Sequence, residues 1–531
     1  MDYLNKLQSN TPIQNAIQLI KQLPVSHRLT DMYKRSTKNE LMLVGAATFI
    51  TLYNLSAYIK AQRQKLHLPP TVPFSLPLFG HTLYLMAMPN KFLDWCNQKY
   101  GEIYNLDVNG KTVTVTNGKS AEEAMKADQD DLSLEHGIVR DLLHLDYVFD
   151  ADIMDIGIRV NPVVAKFAIP NAKMPQYVPG IQRGLENAVD ELLKQDINHI
   201  QEPSLFFQNF VAYMSVPSLV GDEFGLNKEV IQSFAGFTGD VIKNVALFMI
   251  VPKFLHKLVL PYVQSAKKHQ DVMAKYIAPV IIQRREKMRL AEEAGEAHGM
   301  EENFLQGLVE YTDTDENGNP IHFNEIELAH AVLMVAFASV HTTSMNLSFS
   351  LYWLLARPDL MARLLQEIEE VCPGSAPITH AELGQMKFLN NFMREVLRQG
   401  SDRLANGKKA MHDYTFANGY QVPKGRIVES SLRQLNFGNN VIRSEVDDMD
   451  PDMSLNRIST TPARDFVSFG MGKHLCPGRF FAVQEIQMSL VYLLKNFEIK
   501  TASGKRPEPV TRIAGTIATN CEEPLVFIAK K

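Results

Sequence analysis

Cysteine is scarce in this sequence: Cys96, Cys372, Cys476 and Cys521 are the four in a chain of 531 residues. They lie far apart, and no two have Cys-x-x-Cys spacing. That distribution excludes a disulfide framework or a cysteine zinc site, and it suits a reducing compartment with free thiols. Tryptophan is scarcer still, with only Trp95 and Trp353. No excess of positive charge exists either, since 54 Lys and Arg face 59 Asp and Glu for a net charge of −5. This balance argues against nucleic-acid binding as the main business of the chain. There is no internal repeat. The length exceeds one small domain and accommodates a large catalytic unit with an added anchor.

Two long uncharged runs stand out from this ordinary background. The first, LMLVGAATFITLYNLSAYI, covers nineteen residues from Leu41 to Ile59. At about 1.5 Å per residue it approaches the ~30 Å of a bilayer core, which predicts a transmembrane anchor helix over 41–59. Thr48, Thr51, Asn54 and Ser56 make it only moderately apolar, and a buried core helix is the competing reading. Basic residues flank both ends (Lys34, Arg35 and Lys38 before; Lys60, Arg63 and Lys65 after), so charge alone leaves its orientation open. The run starts too deep in the chain for a cleavable signal peptide. Residues 1–40 read as a leader whose Ile13, Ile17 and Ile20 share a helical face suited to a membrane surface. Residues 60–80 are basic and then proline-rich, with Pro69, Pro70, Pro73 and Pro77 forming a stiff hinge. Residues 81–531 make up the body. Within it, Ile103 to Thr116 alternates apolar and polar side chains around Asn109-Gly110 and predicts a hairpin. Beyond that hairpin the chain reads as mostly helical.

The densest chemistry lies in FGMGKHLCPG, Phe469 to Gly478. Cys476 sits there in a glycine-rich loop, and the following residues Phe481, Val483, Ile486, Leu490, Leu493 and Leu494 recur at helical spacing. A cysteine at the mouth of a helix meets amide donors and the helix dipole, which favour its thiolate. A thiolate held in a tight loop is a soft axial ligand for haem iron. The pattern Phe469-x-x-Gly472-x-His474-x-Cys476-x-Gly478 resembles the haem-binding loop of the cytochrome P-450 family. The resemblance implies that Cys476 binds the iron, Phe469 shields the sulfur and His474 reaches a haem propionate. Gly472 and Gly478 would allow a sharp turn or close backbone approach to the flat macrocycle.

The second uncharged run, Leu328 to Ala356, has a polar cluster at its middle, Ser339-Val340-His341-Thr342-Thr343-Ser344. A long core helix with a hydroxyl-rich notch facing a cavity explains both features better than a membrane span. It resembles the helix on the distal side of the haem in the same family, with two departures. Ser339 stands where glycine is usual, and His341 stands where an acid usually aids proton delivery. Thr342 is then the residue that guides protons to bound oxygen, and His341 a relay whose ordinary pKa lies near neutrality. A satisfied core histidine is the alternative for His341.

In MKFLNNFMREVLRQ, Glu395 and Arg398 are three apart on a predicted helix and pair on one face. In the family such a pair braces the haem-binding core together with a later arginine, for which Arg457 is the candidate here. Arg140, Arg159 and Lys166 are candidates for the propionates.

The resemblance, to microsomal and especially fungal members, implies a mainly α fold with small β-sheets behind an N-terminal membrane anchor. It further implies a haem-thiolate monooxygenase that uses haem b and O2 to oxidise a C–H bond of a lipophilic steroid, terpenoid, fatty acid or xenobiotic. Electrons would come from NADPH through a membrane-bound cytochrome P-450 reductase, with cytochrome b5 as a second donor. The expected place is the endoplasmic reticulum membrane, with the catalytic domain in the cytoplasm. The pocket is expected near 130–150, 334–343, 401–406 and 512–520. The rival readings are a haem-thiolate isomerase or dehydratase working without external electrons, and a non-catalytic haem sensor.

Overall fold

Helices dominate the computed structural model, which describes residues 66–143 except 78 and 109, then 170–251, 255–259 and 266–530. Within the last span 315–316, 375, 402–403, 438–448 and 514–516 are excepted, and a few single positions outside these spans are also described. The expected leader, the anchor over 41–59 (Thr48 and Thr51 aside) and the first part of the hinge lie outside the described residues.

The principal helices are α1 (Pro89–Tyr100), α2 (Gly118–Lys126), α3 (Met174–Leu192), α4 (Pro203–Leu219), α5 (Lys228–Ile250) and α6 (Ala266–Ala294). They continue with α7 (Glu325–Ala356), α8 (Lys387–Gly400), the short α9 (Leu432–Phe437) and α10 (Arg479–Asn496). The main sheet contains β1 (Ile103–Val108), β2 (Lys111–Thr116), β3 (Leu132–Ser133), β5 (Leu404–Ala410) and β6 (Ile427–Ser431) in the order β1-β2-β6-β5-β3. The expected hairpin is present, with Ile103 opposite Thr116 and Val108 opposite Lys111. Strand β4 (Ile197–Ile200) joins β7 (Phe497–Thr501) and β10 (Leu525–Ala529), and β8 (Val510–Ile513) pairs with β9 (Ile517–Asn520). This is the mainly α fold with small β-sheets that the family resemblance implied.

Alternation along the strands gives the main sheet two buried faces. Ile103, Leu132 and Val428 pack together on one side. On the other, Tyr104, Leu106 and Val115 meet Phe92, Leu93 and Cys96 of α1.

The helical core is built around α7. Its start is fixed by a capping box, in which Asn324 Oδ1 accepts the Glu327 amide at 2.9 Å and Glu327 Oε2 accepts the Asn324 amide at 2.7 Å. Pro358 begins the next helix directly after it. Hydroxyls are tolerated mid-helix because they bond back to their own helix: Thr342 Oγ1 to Ala338 O at 2.7 Å, Ser350 Oγ to Asn346 O at 2.7 Å. Among the described residues α7 is the helix long and apolar enough to cross a bilayer. It packs instead against α4, α5, α6 and α10, so it is a core helix. Beside it, α3 and α4 approach closely at Gly180 and Gly184. A Cβ on Gly184 would lie 2.5 Å from Met214 Cα.

Candidate active site

The loop before α10 is folded by its own backbone. The Cys476 N–H donates to Phe469 O at 2.8 Å, and the Gly470 N–H donates to Val467 O at 2.8 Å. Gly470 (φ 83°) and Gly472 (φ 67°) both adopt the left-handed conformation that favours glycine. Gly472 also presses on α2, where a Cβ would lie 3.3 Å from Lys126 Cα. Gly478 behaves differently from expectation. It caps α10 at φ −80°, a conformation open to any residue, and Gly470 is the glycine that takes the second sharp turn.

Cys476 itself is half-buried and reduced. Burial raises its thiol pKa, while the Gly478 and Arg479 amides and the Arg479 guanidinium pull the other way without overcoming it. The helix mouth therefore favours the thiolate as expected, but burial outweighs it, and a stable thiolate needs a cation beside the sulfur. Arg479 also bonds Cys476 O at 2.9 Å and Thr460 O at 3.1 Å, fixing the loop to the chain before it.

His474 is poised differently. Its Nε2 is buried and has no hydrogen-bond partner. Burial lowers its pKa first, and the nearby Lys408 ammonium lowers it further. Lys408 is only 2 % exposed. Its Nζ donates to Met125 O at 3.1 Å and Ala127 O at 3.0 Å, and burial pushes its pKa down to about 8. No carboxylate of the described residues bonds this lysine; Asp128, itself paired with Lys473, acts on both basic groups only from a distance. An acidic group is what such a pair fits. Lys408 lies just beyond the 401–406 segment expected at the pocket, and burial of a lysine in a strand gives no sequence signal. Of the residues named for the propionates, Arg140 pairs with Glu135 at 2.7 Å and Arg159 with Asp313 at 2.8 Å. Lys166 lies outside the described residues.

From Leu328 to Ala356, only Ala338 and Thr342 are exposed. They are one turn apart on a helix otherwise enclosed by protein, so that face of α7 borders open space. His341 is flanked by this face, and burial lowers its pKa, which keeps the imidazole neutral at pH 7. The buried Ser339 Oγ and Thr343 Oγ1 have no partner. An exposed face of α7 with small and hydroxyl side chains, a thiol needing a cation and a buried basic pair together fit haem.

Two other expected pocket segments meet. Residues 135–142 form a π-helical turn lying on β5, so close that a Cβ on Gly137 would stand 2.1 Å from Gly407 O. Strand β9 lies beside α7.

Glu395 and Arg398 pair on α8, with Arg398 Nε donating to Glu395 Oε2 at 2.8 Å. Gln399 Nε2 adds a bond to Glu395 Oε1 at 3.0 Å. Both carboxylate and guanidinium are largely buried. Arg457 lines the same cavity as Glu395 and Arg398 but pairs with a different carboxylate. Its Nη1 and Nη2 bond the two oxygens of Asp465, each at 2.9 Å.

Comparison with known proteins gives one family. The cytochrome P450 family model matches residues 69–520. The cytochrome P450 monooxygenase ptmP of Penicillium ochrochloron is 28% identical over 341 residues, 61% of this chain and 73% of that protein. Cytochrome P450 monooxygenase 151 of Postia placenta is 24% identical over 471 residues, 85% and 92% of the two chains. Cytochrome P450 monooxygenase CYP512U6 of Ganoderma lucidum is 22% identical over 426 residues, 77% and 81%.

Proposed function

The chain belongs to the cytochrome P450 family, and from that premise we propose that it is a membrane-anchored haem-thiolate monooxygenase acting on a lipophilic small molecule. The observation that carries this reading is the Cys476 loop, closed by the bond from its amide to Phe469 O. Cys476 would hold the iron, with Phe469 and the left-handed Gly472 shaping the loop around the sulfur and Gly478 opening the helix behind it. His474 and Lys408 would take the acidic edge of the macrocycle, which matches the unpartnered His474 Nε2 and the buried Lys408 ammonium beside it. Bound there, haem supplies reductive activation of dioxygen and oxidation of a C–H bond.

The protein's own part is binding, proton handling and bracing. Thr342 Oγ1 already gives its proton to Ala338 O, so its lone pairs face the open side and hold a water or an oxygen there. Neutral His341 has one donor and one acceptor nitrogen, the pattern a proton relay needs. The Glu395–Arg398 pair braces α8 behind the cysteine loop. Apolar and small side chains in the segments around Thr342 suit a steroid, terpenoid, fatty acid or xenobiotic body. Electrons would arrive from NADPH through a reductase, with cytochrome b5 as a second donor, at the cytoplasmic face of the endoplasmic reticulum membrane to which 41–59 anchors the chain.

The test is a panel of lipophilic compounds incubated with the full chain, a P450 reductase, NADPH and isotopically labelled dioxygen. The expected result is label in a product formed only when NADPH is present. Product formed without NADPH or label would point to the isomerase or dehydratase reading. Binding without any product across the panel would point to a sensor.

A further inference from the structure

We infer that Asn436 is the residue that positions the Cys476 loop against α8, an inference that rests on the reading of Cys476 as the iron ligand. Arg457 lines the same cavity as Glu395 and Arg398 but gives its hydrogen bonds to other groups. Besides its two bonds to Asp465, its Nε reaches only Ser454 O at 3.3 Å. Asn436, on α9, makes three connections from a site that is 4 % exposed. Its backbone oxygen accepts Arg398 Nη1 at 3.2 Å. Its Nδ2 donates to Ser401 O, just past the end of α8, at 3.5 Å. Its Oδ1 accepts the Val467 N–H at 2.9 Å. Thus one side chain faces the end of α8 with a donor and the entry to the loop with an acceptor. The amide carries the donor and the acceptor on separate atoms, so it can serve both partners at once.

The connection continues from Val467 to the sulfur-bearing residue. Val467 O accepts the Gly470 N–H, and Phe469 O accepts the Cys476 N–H, each at 2.8 Å. The braced arginine therefore reaches the ligand through Asn436 and a short backbone ladder. Val467 is fully buried, so its N–H has no water to turn to once Oδ1 is lost. A second tie, from Ser468 Oγ to Leu397 O at 3.0 Å, keeps the loop on α8 when the first is cut. Loss of Asn436 is then expected to misplace the sulfur and leave the fold standing.

The experiment uses the full chain with haem, reduced under carbon monoxide. Thiolate ligation gives a band at ~450 nm, and its loss moves the band to a distinct shorter wavelength. Asn436→Ala is expected to raise the ratio of the second band to the first by about 5- to 150-fold, the range set by one buried group losing its partner. Asn436→Asp keeps the acceptor for Val467 and is expected to restore most of the first band. Arg457→Ala is expected to match wild type. If Asn436→Ala is not recovered folded, Asn436→Ser, which also lacks the Oδ1 position, is read in the same way. A wild-type ratio in the alanine or serine variant, or an equal rise in Arg457→Ala, overturns the inference. A wild-type protein without the first band would instead defeat the haem-thiolate reading, so the two failures are distinct.

Discussion

Replacing Glu485 by glutamine should flatten the pH dependence of stability and raise stability above neutral pH. Glu485 lies on α10 with no solvent exposure. Its Oε1 accepts Ser215 Oγ of α4 at 2.8 Å, while Oε2 has no partner. Burial pushes its pKa up to about 8. The unfolded chain releases this proton near the ordinary glutamate value of ~4.3. Between these values the folded state holds a proton that the unfolded state has lost, so stability must fall as pH rises through the window. At pH 7 the penalty is about 3 kcal/mol relative to pH 4, and it grows until about pH 8. Glutamine keeps the acceptor for Ser215 and mimics the protonated acid in shape, so the variant should match wild type at low pH. Denaturant unfolding at a series of pH values, followed by circular dichroism, reads the difference directly. An advantage for Glu485→Gln that widens from pH 5 to pH 8 is expected. Parallel curves would refute the reasoning, since they would mean that the carboxyl is already charged in the folded protein.

Other sites give sharp expectations. Gly184→Ala would drive a Cβ to 2.5 Å from Met214 Cα and 2.7 Å from Tyr213 O, backbone atoms that cannot swing away. It should cost about 1–3 kcal/mol or more, seen as a lower thermal midpoint. Arg398→Ala leaves the buried Glu395 carboxylate without its guanidinium. A loss of about 3–5 kcal/mol is expected by denaturant unfolding, and Arg398→Lys should not restore it because the two-pronged geometry is lost. Thr342→Val keeps the shape of an exposed position on α7 and removes the hydroxyl. Product formed per NADPH consumed should fall while NADPH consumption continues.

Where function follows local pattern, the sequence is a good guide. Apolar periodicity and the Asn109-Gly110 pair give the α10 helix and the β1–β2 hairpin because both depend on neighbours in the chain. Glu395 and Arg398 are legible for the same reason, since three residues on a helix place them side by side. Long-range contacts are another matter. Nothing local in Lys408 announces that it will be buried against the end of α2, or that it will stand near His474. Arg457 shows the same limit in reverse: the family resemblance makes it a candidate for the bracing pair, but Asp465, eight residues on, takes its hydrogen bonds. Cys476 lies between these cases. Its loop and the helix behind it follow from sequence, while the burial that raises its thiol pKa comes from the packed structure.

The most direct measurement concerns that cysteine. The reduced full chain, loaded with haem and exposed to carbon monoxide, should absorb at ~450 nm, and Cys476→Ser should lose that band altogether. A serine variant that keeps the band, or a wild-type protein that never shows it, would contradict the assignment of Cys476 as the axial ligand.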